Sequence, residues 1–262
     1  LDRDFVQSRI GEGGSGIRYA EFRYSMIQGY ELLNLYSEMG YILQLAGADQ
    51  WGNSVTGVSL IRRIENAEAH VFTAPLVINK QTGVKFGKSE DGAIWLDAGL
   101  TSPFKFYQFW LNVDDETAED LIKIYTLLEK DVIDGIISNH RENPGERNLQ
   151  KTLAREVTEL VHGRERRDSV ERVTSVLFAN AEFSSLGSED IEQLSDEIPV
   201  SVASDSIVEA LVSSGLCSSN GEARRLIENG AISINGQKLN KDEPLVAPSL
   251  LKKGKNNFLL VK

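Results

Sequence analysis

The 262-residue sequence is poor in the residues that build covalent and metal frameworks. It has one cysteine, Cys217, and three histidines. A single thiol excludes an internal disulfide framework and fits a reducing compartment. With so few thiol and imidazole ligands a zinc cluster is not expected, and no metal site is assigned. No apolar run approaches the roughly 18–20 residues that cross a bilayer, so no membrane segment is expected. The opening Leu1-Asp2-Arg3-Asp4 is mostly charged and does not read as a signal peptide. Together these absences point to a cytoplasmic protein. The first methionine is Met26, which marks the chain as a fragment or a processed product. Positive charge is also in short supply. With 39 acidic and 28 basic residues the net charge is −11, which argues against a generally basic nucleic-acid binder.

What is present is ordinary for a soluble globular protein: 41% hydrophobic and 26% charged residues over a length that suits one large or two to three small domains. The charge is uneven. From Gly221 to Lys262 eight basic residues (Arg224, Arg225, Lys238, Lys241, Lys252, Lys253, Lys255, Lys262) face four acids, an excess of four positive charges on an acidic chain. A local polyanion-binding module and a solvated lysine-rich tail both fit this asymmetry.

The stretch Lys85-Phe86-Gly87-Lys88-Ser89 places two ammonium groups and a hydroxyl on a Gly-punctuated loop. The apolar run Ala74-Pro75-Leu76-Val77-Ile78 ahead of it reads as a buried strand. Two lysines on such a loop can clamp a polyphosphate while its charge redistributes. A solvated hairpin carries the same residues.

Upstream, a helix is predicted from about Tyr19 to Met39, stopped by Gly40. Tyr24, Gln28 and Glu31 fall at i, i+4 and i+7 and share one face, where a phenol, an amide and a carboxylate can fix a small zwitterion or simply bond neighbouring backbone. A strand follows at Tyr41–Leu45. Then come Ala46-Gly47-Ala48-Asp49-Gln50-Trp51-Gly52-Asn53 and a helix of about Ser54–Asn66. Ligands of open α/β sheets bind at such strand-to-helix turns, where small residues admit a ligand and Asp49 can accept hydrogen bonds from a ribose.

The aromatic run Phe104-Lys105-Phe106-Tyr107-Gln108-Phe109-Trp110 suits a core or an interface. Helical periodicity then covers Thr117–Leu128, Lys130–Asn139, Asn148–His162 and Arg167–Ala179. Arg141, Arg147 and Arg155 can meet RNA or merely solubilise these acidic helices. Residues 182–204, rich in Ser, Glu and Asp, read as a connecting segment. Asp205-Ser206 signals a helix start, a second helix runs from Ser218 to Asn229-Gly230, and Asn235-Gly236 after the strand Ala231–Ile234 favours a type I′ hairpin turn. Arg224 and Arg225 on that helix, beside a hairpin bearing Lys238 and Lys241, would make a compact basic face for phosphate contacts.

Taken together, Tyr24-Ser25-Met26-Ile27-Gln28-Gly29-Tyr30, Gly47-Ala48-Asp49-Gln50-Trp51-Gly52-Asn53, Lys85-Phe86-Gly87-Lys88-Ser89 and Ser102–Trp110 occur in an order that resembles the bacterial tyrosyl-tRNA synthetases, class I aminoacyl-tRNA synthetases. The third stretch resembles their KMSKS loop, and the C-terminal part resembles the small RNA-binding module these enzymes share with a ribosomal protein. The resemblance implies an α/β fold. Residues 1–97 would be the C-terminal half of a doubly wound Rossmann-like catalytic domain and 98–181 an α-helical anticodon-binding domain. Residues 182–204 would be a linker and 205–262 a small α+β RNA-binding domain. It implies ATP-dependent activation of tyrosine and transfer to tRNA(Tyr), in a homodimer, with ATP as substrate and Mg2+. Tyr24 and Gln28 would hold the amino group of tyrosine, with Glu31, Gln44 and Gln50 completing its site. Gly47, Asp49 and Ser89 would meet the nucleotide, and Lys85 and Lys88 would stabilise the pyrophosphate leaving group, a catalysis of positioning and charge without a protein nucleophile. Arg224, Arg225, Lys238 and Lys241 would contact RNA.

Two departures stand out. Glu31 takes the place of an aspartate that bonds the phenolic hydroxyl of tyrosine in the family. The family's first nucleotide-binding motif, a His-and-Gly signature, and the first strands of its sheet are missing, so the chain alone is expected to be inactive in adenylate formation. The rival reading is a non-catalytic RNA-binding remnant or paralogue. The tryptophanyl relatives share the architecture but not the Tyr24/Gln28 spacing or the C-terminal module.

Overall fold

The computed structural model describes residues 16, 19–78 and 94–262, except for the side chains of 20–22. Contacts divide the chain into two units, 1–91 and 92–262.

The first unit is built on helix α1 (Tyr19–Met39). Gly40, at φ 73°, ends it: Gly40 N–H reaches Tyr36 O at 2.9 Å and Tyr41 N–H reaches back to Leu35 O at 3.4 Å, the left-handed stop that glycine adopts without a Cβ penalty. Strand β1 (Leu43–Gly47), a 3-10 turn at Ala48–Gln50, helix α2 (Trp51–Ile64) and strand β2 (His70–Ala74) follow. The strands are parallel, registered from Leu43↔His70 to Gly47↔Ala74, so β1–α2–β2 is a βαβ unit. The second strand lies earlier than the expected Ala74–Ile78. Pro75 lacks the N–H a ladder needs, and pairing ends at Ala74 just before it.

Leu32, Leu33, Ile61 and Ala69 form the buried centre, with Tyr36 and Val58 packed around it. The helices approach closely because both carry glycine at the crossing. A Cβ on Gly57 would lie 2.8 Å from Leu32 Cβ, and one on Gly29 3.0 Å from Thr56 Cγ2. Among the described residues this sheet has two strands, and apolar side chains on both stand in solvent, Leu45 at 69% and Phe72 at 63% exposure. Parallel strands are ordinarily covered on both faces.

The second unit starts with helices. Ser102 caps α3 (Pro103–Leu111) by accepting from Lys105 N–H, and Pro103 sits in the first turn where its missing N–H costs nothing. The aromatic run is the inner face of this helix: Phe106, Tyr107 and Trp110 are buried, and the Phe106 ring meets the His162 ring edge-on at 4.8 Å. Helices α4 (Asp115–Tyr125), α5 (Lys130–Glu142), α6 (Asn148–His162) and α7 (Arg164–Phe178) complete the layer. α6 is the hub, touching α3, α4, α5 and α7 through Leu149, Leu153, Ala154 and Val157.

Residues 182–204 do not form the expected connection. They contain a 3-10 turn (Phe183–Ser185), helix α8 (Ser188–Ser195) and strand β3 (Val200–Ser201). Phe183, Leu186 and Leu194 are buried in this segment. Its polar composition masks apolar residues three to five apart, enough for one inward face.

Helices α9 (Ile207–Ser213) and α10 (Asn220–Glu228) come next, each with a serine cap, Ser206 and Ser219. Strands β4 (Ile232–Ile234), β5 (Gln237–Lys238), β6 (Ser249–Lys253) and β7 (Asn257–Val261) complete a five-stranded sheet of order β3-β7-β6-β4-β5. Only β3–β7 pair in parallel. Asn235 at φ 49° and Gly236 at φ 85° make the turn between β4 and β5, with positive φ at both central positions as a type I′ turn requires. Alternate residues of β6 and β7 serve two cores. Leu251, Leu259 and Val261 face α9 and α10, whereas Leu250, Phe258 and Leu260 face Val173, Val176 and Leu177 of α7 and Leu194 of α8.

Candidate functional site

In the first unit α1 presents Tyr24, Gln28 and Glu31 at one-turn intervals. Gln28 and Glu31 line an open groove of about 490 Å3 together with Gln44 of β1, with Leu32, Met39 and Tyr41 supplying apolar wall. Gln44 Oε1 is buried and has no hydrogen-bond partner among the described residues. Gln28 Nε2 lies 3.5 Å from Ser54 Oγ on α2. Two amides and a carboxylate above an apolar wall can orient a small molecule that carries both donors and a hydrophobic body.

The other expected ligand residues lie elsewhere in this unit. Tyr24 is 61% exposed and does not line the groove. Gln50 ends the 3-10 turn, where its Oε1 accepts from Asn53 Nδ2 at 3.3 Å. Asp49 sits in that turn. A Cβ on Gly47 would stand 2.7 Å from Asp49 Oδ1, so the carboxylate lies over a residue that must be small. Lys85, Lys88 and Ser89 fall outside the described residues.

In the second unit Arg224 and Arg225 are exposed on α10, and Lys238 and Lys241 are exposed on and after β5. The Lys238 stem passes 3.7 Å from where a Cβ on Gly230 would be, so the β5 cation runs beside the end of α10. Three of the eight basic residues of this stretch serve the fold instead. Lys252 Nζ donates to Leu177 O at 3.1 Å; Lys253 Nζ donates to Leu216 O at 2.6 Å and to Glu222 at 2.9 Å; Lys262 Nζ donates to Glu192 at 3.0 Å. The helical-layer arginines that could meet RNA, Arg141, Arg147 and Arg155, are likewise engaged, Arg155 lying 4.0 Å from Glu171. Arg141 forms a two-pronged pair with Glu119 at 2.8 and 2.6 Å, and Arg147 donates to Leu111 O at 2.7 Å.

Sequence reasoning did not single out a second groove, of about 1180 Å3, between α3, α6, α7 and the turn joining β6 to β7. Lys151, Arg155, Lys255 and the exposed Phe178 ring line it, with Tyr107 and Glu171. Burial, helped by the Glu171 charge, pushes the Tyr107 hydroxyl up to about 12. Burial also raises the Glu171 carboxyl, against the pull of Arg155 and Arg167. The signal present in the sequence was Lys151 and Arg155 one turn apart on α6; what it lacked was the turn at Lys255, which only the fold brings to that side.

Residues 1–179 match the family model of the class I tRNA synthetases for tryptophan and tyrosine. The chain belongs to that family. Residues 190–261 match the C-terminal domain of the tyrosine–tRNA ligases, which places the likeness on the tyrosine side of the pair. Tyrosine–tRNA ligases of Flavobacterium psychrophilum and Bacteroides fragilis are each 40% identical over 281 residues, an alignment that takes in all of this chain and 65% of the relative. The chain thus spans about two thirds of the length of the relatives it matches. Among solved structures, a C-terminally truncated mitochondrial tyrosyl-tRNA synthetase of Aspergillus nidulans superposes with a TM-score of 0.54 at 30% identity, over 67% of this chain and 49% of that one. The Coccidioides posadasii counterpart gives 0.52 at 28%, over 66% and 49%.

Proposed function

We propose that this chain is the larger part of a tyrosine–tRNA ligase, which activates tyrosine with ATP and transfers it to tRNA(Tyr). The observation that carries the reading is the gathering of Gln28, Glu31 and Gln44 on one groove beside β1. In this reading Gln28 takes the ammonium of tyrosine, Gln44 lines its site and Glu31 accepts from its phenol; Tyr24 and Gln50, which stand outside the groove, are assigned to the same ligand by the family resemblance. Gly47 and Asp49 meet the ribose. Lys85, Lys88 and Ser89 act on the phosphates, where ammonium groups follow charge onto the leaving pyrophosphate. Among the described residues no group of three or more His, Cys, Asp or Glu side chains is placed to hold a metal ion. Mg2+ would enter with the triphosphate, and no step is assigned to it. The basic face of Arg224, Arg225, Lys238 and Lys241 contacts tRNA phosphates. The enzyme is read as a cytoplasmic homodimer; no helix among the described residues is long and apolar enough to cross a membrane.

The 262-residue chain by itself does not form adenylate in this proposal. Nucleotide sites of open α/β sheets are built from the carboxyl ends of several adjacent strands, and the described part of residues 1–91 offers two strands with exposed faces. Tyrosine-dependent pyrophosphate exchange tests both parts. We expect none from the chain alone and exchange once it is extended to the length of its relatives. Exchange by the chain alone overturns the second part, and silence of the extended form overturns the first. A salt-dependent RNA affinity that survives Lys85→Ala and Lys88→Ala in a silent extended form would favour the non-catalytic RNA-binding reading.

A further inference from the structure

We propose that Arg172, Asp190, Ser169 and Gln193 form a lock that positions the C-terminal cation face relative to the helical layer, and that RNA binding depends on that position. The proposal rests on the RNA-binding reading above. Asp190 stands in the first turn of α8, and 1% of it is exposed. Arg172 of α7 grips its carboxylate with both prongs, Nε to Oδ2 and Nη2 to Oδ1, each at 2.8 Å. Ser169 Oγ donates to Oδ1 at 2.5 Å and Gly187 N–H to Oδ2 at 3.0 Å. The Gln193 carboxamide lies 2.7 Å from Ser169 Oγ. A serine has one hydroxyl proton, so Ser169 shares it between the Asp190 carboxylate and the Gln193 oxygen, with the shorter contact to Asp190.

The cluster lies where the two layers of this unit meet. α8 packs against α7 on one side, and its Leu194 joins Leu250, Phe258 and Leu260 of the sheet on the other. Further polar ties cross the same seam. Lys252 Nζ sits 5.3 Å over the Phe258 ring on its way to Leu177 O, Lys262 bonds Glu192 and Ser195 of α8, and Lys105 of α3 pairs with Glu197 at 3.7 Å. An apolar seam is non-directional and tolerates sliding. A forked guanidinium–carboxylate pair holds one orientation. An ion pair with one half-exposed and one buried partner adds little net stability, so orientation is the property this one is suited to supply. A cation face already held in place spares the ordering cost that a tethered module meets on binding.

The test uses the full chain with spin labels on cysteines at Lys151 of α6 and Lys255 of the β6–β7 turn, leaving buried Cys217 unlabelled. The parent should give one narrow inter-label distance. Arg172→Ala, at a side chain 47% exposed, should keep its helix content, broaden that distance and weaken binding of a short RNA stem–loop by about tenfold at fixed salt. Arg172→Lys keeps the charge without the fork and should stay broad. Should Asp190→Asn fail to fold, Arg172→Ala carries the test. A distance equally narrow in parent and Arg172→Ala overturns the lock. A broadened distance with unchanged RNA affinity, while Arg224→Ala weakens binding, overturns its role in RNA binding. If Arg224→Ala and Lys238→Ala leave affinity unchanged, the RNA reading itself has failed, and the distance measurement alone decides the lock.

Discussion

Two carboxylates show how a single residue sets behaviour here. Glu31 places its charge one methylene farther from the backbone of α1 than aspartate would, in a groove also lined by Gln44, whose Oε1 has no partner among the described residues. A hydrogen bond to a phenol depends on that reach. In a form extended to full length, Glu31→Asp should raise the preference for activating tyrosine over phenylalanine by about 1 kcal/mol, roughly fivefold. Equal ratios in parent and variant would remove Glu31 from the selectivity argument. Glu222 behaves differently. Hydrogen bonds from the Ser218 side chain, from Lys253 and from Ser218 N–H hold its carboxyl down to about 2, against about 4.3 for a free glutamate. A carboxyl lowered by folding stabilises the native state above its unfolded value, and that contribution is lost as pH falls toward about 2. Denaturation midpoints of Glu222→Gln measured from pH 5 to pH 2 should therefore fall less steeply than those of the parent. Asp190 adds to the same acid limb: burial pushes its carboxyl up, but bonds from Arg172, Ser169 and Gly187 outweigh burial and bring it below the ordinary range. Parallel pH curves would exclude the Glu222 contribution. Both glutamates are visible in the sequence, but neither the groove around one nor the lysine beside the other is.

At the scale of elements, local chemistry was the most readable. Ser206 caps α9 where Asp205-Ser206 signals a helix start, and Asn235-Gly236 turns the hairpin. These features depend on a few adjacent residues. Strand β2 lies ahead of the continuous apolar run because its bounds are set by pairing with β1, far away in sequence. The segment 182–204 reads as a connection for a related reason, since its few apolar residues matter only against α7, β6 and β7. The crossing of α1 and α2 gives an element-scale prediction. Gly57→Ala adds a methyl group 2.8 Å from Leu32 Cβ, which has no flexible end to move. Overpacking of this kind costs about 1–3 kcal/mol, and the better helix propensity of alanine returns up to about 1. Amide exchange in α1 and α2 should accelerate, by about tenfold for each 1.4 kcal/mol lost. Unchanged exchange would mean the helices separate to accept the methyl.

At the scale of the whole molecule, the sheet of the second unit matters most. Leu259, Leu260 and Val261 are all fully buried, because consecutive residues of β7 enter cores on opposite faces. One face is closed by α9 and α10, the other by α7 and α8. A fragment of residues 205–262, the small domain implied by the resemblance, would bare Leu250, Phe258 and Leu260. We expect it to aggregate or to lack dispersed amide resonances, and a fragment of residues 98–262 to fold. A well-dispersed spectrum from 205–262 would show that one face suffices.

Much was decided by the sequence alone. The order of its motifs identified the family, because those residues are short local strings whose chemistry survives being read as text. Most of the longer helices were legible to within a few residues, being set by periodicity, whereas α3 read only as an aromatic run and α8 as part of a connection. Tertiary structure decided which charges are available and which segments stand alone. Lys252, Lys253 and Lys262 look like part of a basic tail until the fold places a carbonyl or a carboxylate within 3 Å or so of each. Residues 182–204 look like a linker until a sheet face lies against them. Both outcomes depend on contacts between residues tens of positions apart, and composition carries no record of distance.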